Sequence, residues 1–360
     1  MNSSSISSSN NPSANPNTVV IHHTGGWERF VSWLGWGLFS LSCLVMLVMF
    51  VMILSFMGLY NDYYDTTGGI TEKYVSGSKT SSDKVAIISV EGVIMEGDGF
   101  VKHQIDRIRD DANVKAIVVR VDSPGGTITG SDYIYHHLAK LKEEKQIPIV
   151  VSMGSMAASG GYYVSMAVGD QKDSIYAEPT TTTGSIGVII PHYNVSGLMK
   201  EYNVEDDSIA SHRRKQMLSM TREMSAEDRE IVQQYVMEAF ERFKDIVKSG
   251  RPDFKANPEK LDTLATGEIF SAVKAEANGL VDKIGFLEDA VARARELASL
   301  TEEDTRVVKY ERPPTLFDLS SIGSAQAGRS ELGMLFELST PKAYYISTTL
   351  PAIFSTNRAD

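Results

Sequence analysis

At 360 residues, 42% hydrophobic and 22% charged, the chain is globular in composition and long enough for a sizeable core, which excludes a wholly disordered or fibrous molecule. A net charge of -11 leaves no basic face to neutralise phosphates, so nucleic acid is not an expected partner. The single cysteine, Cys43, lies in an apolar run; intramolecular disulfides and Cys-ligated zinc are excluded, and no metal or other cofactor is called for.

The Ser- and Asn-rich start, with Pro12 and Pro16 and no charged residue before Glu28, has too little apolar surface to offset ordering entropy. Residues 1–29 are therefore expected to be a disordered tail. From Phe30 to Asn61 no charge appears, and this run exceeds the roughly 20 residues a helix needs to cross a bilayer. Residues 30–60 read as an uncleaved transmembrane anchor, since the apolar core of a signal peptide is shorter and lies nearer the N-terminus. Trp27, Trp33 and Trp36 at one end and Tyr60, Tyr63 and Tyr64 at the other read as interfacial belts. Arg29 at the first end and Asp62 and Asp65 at the second favour an inside N-terminus, which puts the remainder on the extracytoplasmic side of the cell membrane.

Residues 61–83 read as a polar Gly/Ser/Thr linker, with a folded body over 84–300 and a C-terminal extension over 301–360. In the body KVAIISVEGVIM, KAIVVRVDSPGG and IPIVVSMGSMAASGG each set a β-branched run ahead of glycines, with helical patterns at about 101–111 and 129–144 between them. Alternating strand and helix predict an α/β fold with a parallel sheet, in which sites collect at the carboxyl ends of strands. A long amphipathic helix is predicted over 225–250, capped by Ser225 with Asp228 and carrying Ile231, Tyr235, Ala239, Phe243 and Ile246 as a packing face. A last helix is predicted near 286–299.

The segment Met153–Tyr163 places Ser159 among Gly and Ala at a strand-to-helix turn, open to a substrate and beside a helix N-terminus that favours developing negative charge. Tight helix packing is the alternative use of the same small residues. In the second cluster, Asp122–Gly126, consecutive glycines can turn amides outward as an oxyanion hole, or simply form a turn. The third, Thr180–Val188, offers hydroxyls that could orient a base, or is a polar loop. A serine needs a base to become a nucleophile. His103, His136, His137, His192 and His212 are available but sit in no glycine-framed or acid-paired motif; a lysine made neutral by burial is the other choice.

SPGG, SMAASGGYY and TGSIGV in this order, with a lysine-bearing segment ahead of SMTREMSAED, resemble the signal peptide peptidase A family, membrane-anchored Ser-Lys peptidases of ClpP/crotonase-like fold with repeated ββα units. The resemblance covers about residues 84–300, and the anchor agrees with it. It implies Ser159 as nucleophile, Lys215 as general base, Gly125 and Gly160 as oxyanion donors and Ser185 as the hydroxyl orienting the lysine. It also implies a serine endopeptidase acting on apolar peptides such as signal-peptide remnants in the bilayer, and a homo-oligomer in which neighbouring subunits complete the sites. Two other readings are a crotonase-fold enzyme acting on acyl-CoA and a catalytically silent membrane scaffold. Serine-directed labelling of Ser159 and turnover of CoA esters separate the three.

Overall fold

The computed structural model describes residues 26–64, 69–312 and 344–346. Most of the tail expected over 1–29 lies outside them, as does most of the extension expected over 301–360. The chain divides into two units, Met1–Tyr64 and Asp65–Asp360. In the first, a single helix α1 covers Gly26–Tyr64. Its apolar stretch Phe30–Met57 is 28 residues and contains an 18-residue window with a mean hydropathy of 2.7 in which no residue is buried. At 1.5 Å per residue that is about 42 Å, more than the roughly 30 Å of a bilayer's hydrocarbon core.

The second unit runs β1 (Thr71–Gly77), β2 (Lys84–Glu91), α2 (Phe100–Asp110), β3 (Val114–Ser123), β4 (Gly125–Thr127), α3 (Ile128–Lys145), β5 (Ile149–Ala158) and α4 (Gly160–Ser165). It continues through β6 (Ile175–Ala177), β7 (Thr182–Gly184), α5 (Ser196–Glu201), α6 (Ala226–Gly250), α7 (Pro252–Ala256) and α8 (Pro258–Leu264). The described part ends with β8 (Ile269–Ser271), α9 (Ala272–Asn278), β9 (Lys283–Ile284), α10 (Leu287–Leu297), β10 (Arg306–Glu311) and β11 (Tyr344–Ile346). Among the described residues the main sheet has the order β1-β10-β2-β3-β5-β6-β9, with β7 and β8 branching from β5. Its central pairings, β10 with β2, β2 with β3, β3 with β5 and β5 with β6, are parallel.

The β-branched runs account for this. Val85, Ile87, Val118 and Val150 point to one face, covered by Ala290, Val291 and Ala294 of α10. Ile88, Ile117, Val119, Val121 and Val151 point to the other, covered by α2, α3 and α4 through Ile105, Leu138 and Tyr162. Strands buried on both faces read as continuous apolar runs, as these do.

Two expected boundaries move. Part of the supposed linker is strand β1, antiparallel to β10 at the sheet edge. An edge strand needs no apolar run: β1 is mostly exposed, and it is fixed by backbone pairing and by the Lys84–Glu72 (2.6 Å) and Lys73–Glu311 (2.9 Å) ion pairs. Nor does the body end at 300, because β10 lies between β1 and β2 with Val307, Val308 and Tyr310 buried. In α6 the predicted face packs only at its C-terminal half. Phe243 and Val247 are buried while Tyr235 is exposed.

Candidate active site

Strand β5 and helix α4 meet at Ser159, which takes φ +54° and ψ −114°. A non-glycine residue in that region is strained and persists only where its surroundings hold it. They do so here: the Ser159 amide donates to the Gly184 carbonyl (2.8 Å), and its carbonyl accepts from Tyr163 N (2.9 Å) in the first turn of α4. Ser159 is 1% exposed, and its hydroxyl has no hydrogen-bond partner among the described residues. A buried hydroxyl left unpaired costs about 1–3 kcal/mol, so it calls for an explanation.

The glycines after Ser159 allow a close approach to the second cluster. A Cβ on Gly160 would lie 2.3 Å from Ser131 Oγ, 3.1 Å from Gly125 Cα and 3.2 Å from Gly126 N. One on Gly161 would lie 2.8 Å from the Ser123 carbonyl. The start of α4 therefore rests directly on β4, where Gly125 takes φ +97°. Ile94 N donates to Gly125 O (2.9 Å) and Thr127 N to Ile94 O (2.7 Å), holding β4 from one side. The Gly125 amide itself donates to Ser123 Oγ (3.1 Å), and Ser123 Oγ donates to Gly92 O (2.6 Å). Gly160 N, at the first position of α4, has no intrahelical acceptor.

The other side of β4 carries an antiparallel strand, β11, with Tyr345 opposite Gly126 and Ile346 opposite Gly125. The backbone beside Ser159 thus accepts an extended peptide by strand addition. Next to Ile94 a cavity of about 520 Å³ opens, lined in part by Val93, Met95, Phe100, Ile134 and Arg312.

Of the five expected site residues, the structure gathers four. Ser185 (φ +52°, 7% exposed) follows Gly184, which pairs with Ala158, so Ser159 and Ser185 end neighbouring strands. Lys215 stands apart, in a 3-10 turn, Arg213–Gln216, at the end of a run of exposed residues from 201 to 215. Its ammonium makes no hydrogen bond or ion pair among the described residues, and no hydrogen bond joins it to Ser159. The turn is strapped in place. Arg213 pairs with Glu227 (3.1 Å) and the buried Asp228 (3.3 Å) at the start of α6, and Arg222 donates to the Arg213 carbonyl (2.7 Å). Among the described residues no histidine bonds Ser159 either: His192 Nε2 lies 3.2 Å from Ser219 O, and His212 Nδ1 accepts from Arg214 N. Among the described residues no group of three or more His, Cys, Asp or Glu side chains could hold a metal.

Three supporting contacts escaped the sequence reading. Asp132 accepts from Tyr163 OH (2.5 Å) and Arg242 Nη2 (2.5 Å), joining α3, α4 and α6; this bond to Asp132 raises the Arg242 pKa further above its ordinary value. Ser131 Oγ donates to Thr127 O (2.9 Å) beneath Gly160. Asp122 Oδ1 accepts from Ser155 Oγ (2.6 Å) and Met156 N (3.1 Å). The only local hint was the acid immediately ahead of Ser123-Pro124.

Residues 141–301 match the family model for peptidase family S49. The chain is 36% identical over 276 residues to a protein assigned as signal peptide peptidase SppA from Enterococcus faecium, covering 73% of this chain and 77% of that one. It is 36% identical over 263 residues to Protease 4 of Salmonella typhi and 30% identical over 295 residues to the chloroplastic serine protease SPPA of Arabidopsis thaliana. These alignments cover 69% and 77% of this chain, but only 41% and 42% of those longer relatives.

Proposed function

The chain belongs to peptidase family S49, serine proteases of the ClpP/crotonase-like α/β fold, and we propose that it works as a membrane-anchored endopeptidase with a Ser159-Lys215 dyad shared between copies. The observation that carries this reading is the Ser159 hydroxyl, buried without a partner among the described residues at a strained turn between β5 and α4. The unpaired atom is what a nucleophile awaiting its base would leave in a single chain. The acyl-CoA and scaffold readings are not favoured by the family.

In this mechanism a substrate peptide takes the strand position beside β4, with its scissile carbonyl against Ser159. Lys215, presented by the exposed projection of a neighbouring copy, removes the hydroxyl proton as Oγ bonds to the carbonyl carbon. The charge that develops on the carbonyl oxygen is met by the Gly160 amide at the α4 N-terminus and by an amide of the Gly125 turn, which must release Ser123 Oγ to reach it. Lys215 then gives the proton to the leaving amine, and water cleaves the acyl-enzyme by the same steps. A lysine can act so only as the neutral amine, which burial against a partner favours. Ser185 orients that amine. Two facts agree with sharing: Lys215 makes no hydrogen bond to Ser159 in its own chain, and the projection around it exposes Tyr193, Leu198, Tyr202, Val204 and Ile209.

The substrates proposed are apolar peptides such as signal-peptide remnants. The name of the Enterococcus relative, the strand-accepting edge of β4 and an anchor that keeps the enzyme where such peptides are released all point to them. The catalytic body is placed on the extracytoplasmic side. The test uses the full chain in detergent. Ser159→Ala and Lys215→Ala should each abolish peptidase activity, and mixing the two inactive chains should restore part of it. Activity in folded Ser159→Ala refutes the nucleophile; no recovery on mixing refutes the shared dyad.

A further inference from the structure

We propose that Asp122 and Thr181 are positioning residues that clamp a bulge in β5 and so set the register at which Ser159 is presented; this rests on the reading of Ser159 as nucleophile. Opposite β3, Val121 pairs with Met153 and Ser123 with Ala157, so β5 advances four residues while its neighbour advances two. On the other flank, β5 leaves β6 after Met153 and takes up β7 at Met156. The surplus residues around Gly154 and Ser155 therefore sit where both neighbours change, three to five positions before Ser159.

A bulge removes ladder hydrogen bonds, and the freed backbone groups must be satisfied elsewhere. Asp122 Oδ1 takes the Met156 amide (3.1 Å) and the Ser155 hydroxyl (2.6 Å). From the opposite side the buried Thr181 hydroxyl donates to the Gly154 carbonyl (2.6 Å) and approaches the Met153 carbonyl (3.3 Å). There is little slack between them. A Cβ on Gly154 would already lie 3.1 Å from both Arg120 Nη2 and the Asp122 carboxyl carbon. Side chains are thus the lock on the register, because a one-residue slip in β5 would carry every later side chain, Ser159 included, to the opposite face.

The test compares conservative and non-conservative changes in the full chain. Asp122→Ala should lower kcat about 100-fold, as a displacement of about 1 Å does, with KM little changed because β4 and its pocket stay in place. Asp122→Asn keeps an oxygen acceptor and should restore most of the rate. Thr181→Val should behave as Asp122→Ala does, and Thr181→Ser as Asp122→Asn does. This second pair decides the matter if Asp122→Ala does not fold. Labelling of Ser159 by a serine-directed probe should slow in parallel with kcat. Wild-type kcat in folded Asp122→Ala or Thr181→Val, or an Asn or Ser variant no better than its Ala or Val counterpart, overturns the proposal. Ser159→Ala is the control. If it is inactive while Asp122→Ala is fully active, only the clamp fails; if it is active, the nucleophile reading fails.

Discussion

A methyl group on Gly160 tests the packing on which the site depends. In a helix Gly→Ala normally favours folding by up to about 1 kcal/mol. In Gly160→Ala the new carbon would stand 2.3 Å from Ser131 Oγ and must move to about 3.4 Å for ordinary contact, an opening of about 1.1 Å. Ser131 is fully buried and bonded to Thr127 O, and behind it stand the backbone atoms of Gly125 and Gly126, so the strain moves α4 away from β4. Overpacking of this kind costs about 1–3 kcal/mol, which for a body of this size lowers Tm by roughly 2–12 °C. The separation of Ser159 from the oxyanion strand grows by a similar distance, and kcat should fall about 100-fold. Adding Ser131→Ala removes the nearest obstacle. The double variant should regain part of both losses, though not all, since Gly125 Cα (3.1 Å) and Gly126 N (3.2 Å) still crowd the methyl. Hydrolysis of a fluorogenic apolar peptide and a thermal melt read the two effects. Wild-type kcat and Tm in Gly160→Ala, or a double variant no better than the sum of its singles, would refute the reasoning.

Lys215→Arg should be as inactive as Lys215→Ala in the same peptide assay, because arginine cannot shed its proton. Truncation after Arg312 removes β11 and vacates the edge of β4, so KM for peptides should fall while kcat holds; an unchanged KM would show that β11 does not compete with substrate. Burial alone would lower the pKa of Lys84, but its bonds to Glu72 (2.6 Å) and Asp111 (2.9 Å) outweigh it and raise the value, so this stabilisation is present below 10.5 and is lost only at higher pH. For Asp111 burial acts to raise the pKa, yet Lys84 and the Asn113 amide bring it below 3.8, so that contribution is present above pH 3.8 and fades as acid reaches the lowered value. Lys84→Met should therefore cost about 3 kcal/mol at pH 7, and the urea midpoints of variant and parent should converge as the pH falls below 3.8.

The parts legible in the sequence are those whose physics is local. The apolar runs of β2, β3 and β5 announce strands buried on both faces, and the predicted helices at 101–111 and 129–144 fall within a residue of α2 and α3. Ser159 could be singled out because its small-residue segment, which helix packing would use equally well, stands in order with SPGG and TGSIGV. Strand β1 was hidden because Thr71–Gly77 gains its place from a partner some 240 positions away rather than from its own apolarity. The short β6, β7 and β9, two or three residues each, carry too few side chains for any period to appear. The clamp at Asp122 was invisible because the bulge exists only in the pairing of two strands. Lys215 could be named from the segment around it, but no sequence pattern states how far it stands from Ser159.

The place of β10 has a consequence in time. The edge strand β1 has β10 as its neighbour, and Thr71 meets Glu311 across 240 positions. At a synthesis rate of about 5–20 residues per second, β1 waits about 12–48 s on the ribosome before its partner exists. Through that interval β2, with Val85 and Ile87 along it, offers an open parallel edge next to a strand that cannot yet close it. Pairings of such high sequence separation form slowly, and open edges of this kind invite the wrong partner. A nascent chain of this protein should therefore depend on a holding chaperone until about residue 311 has emerged, and in detergent a chain truncated before β10 should aggregate while one ending just after it stays dispersed.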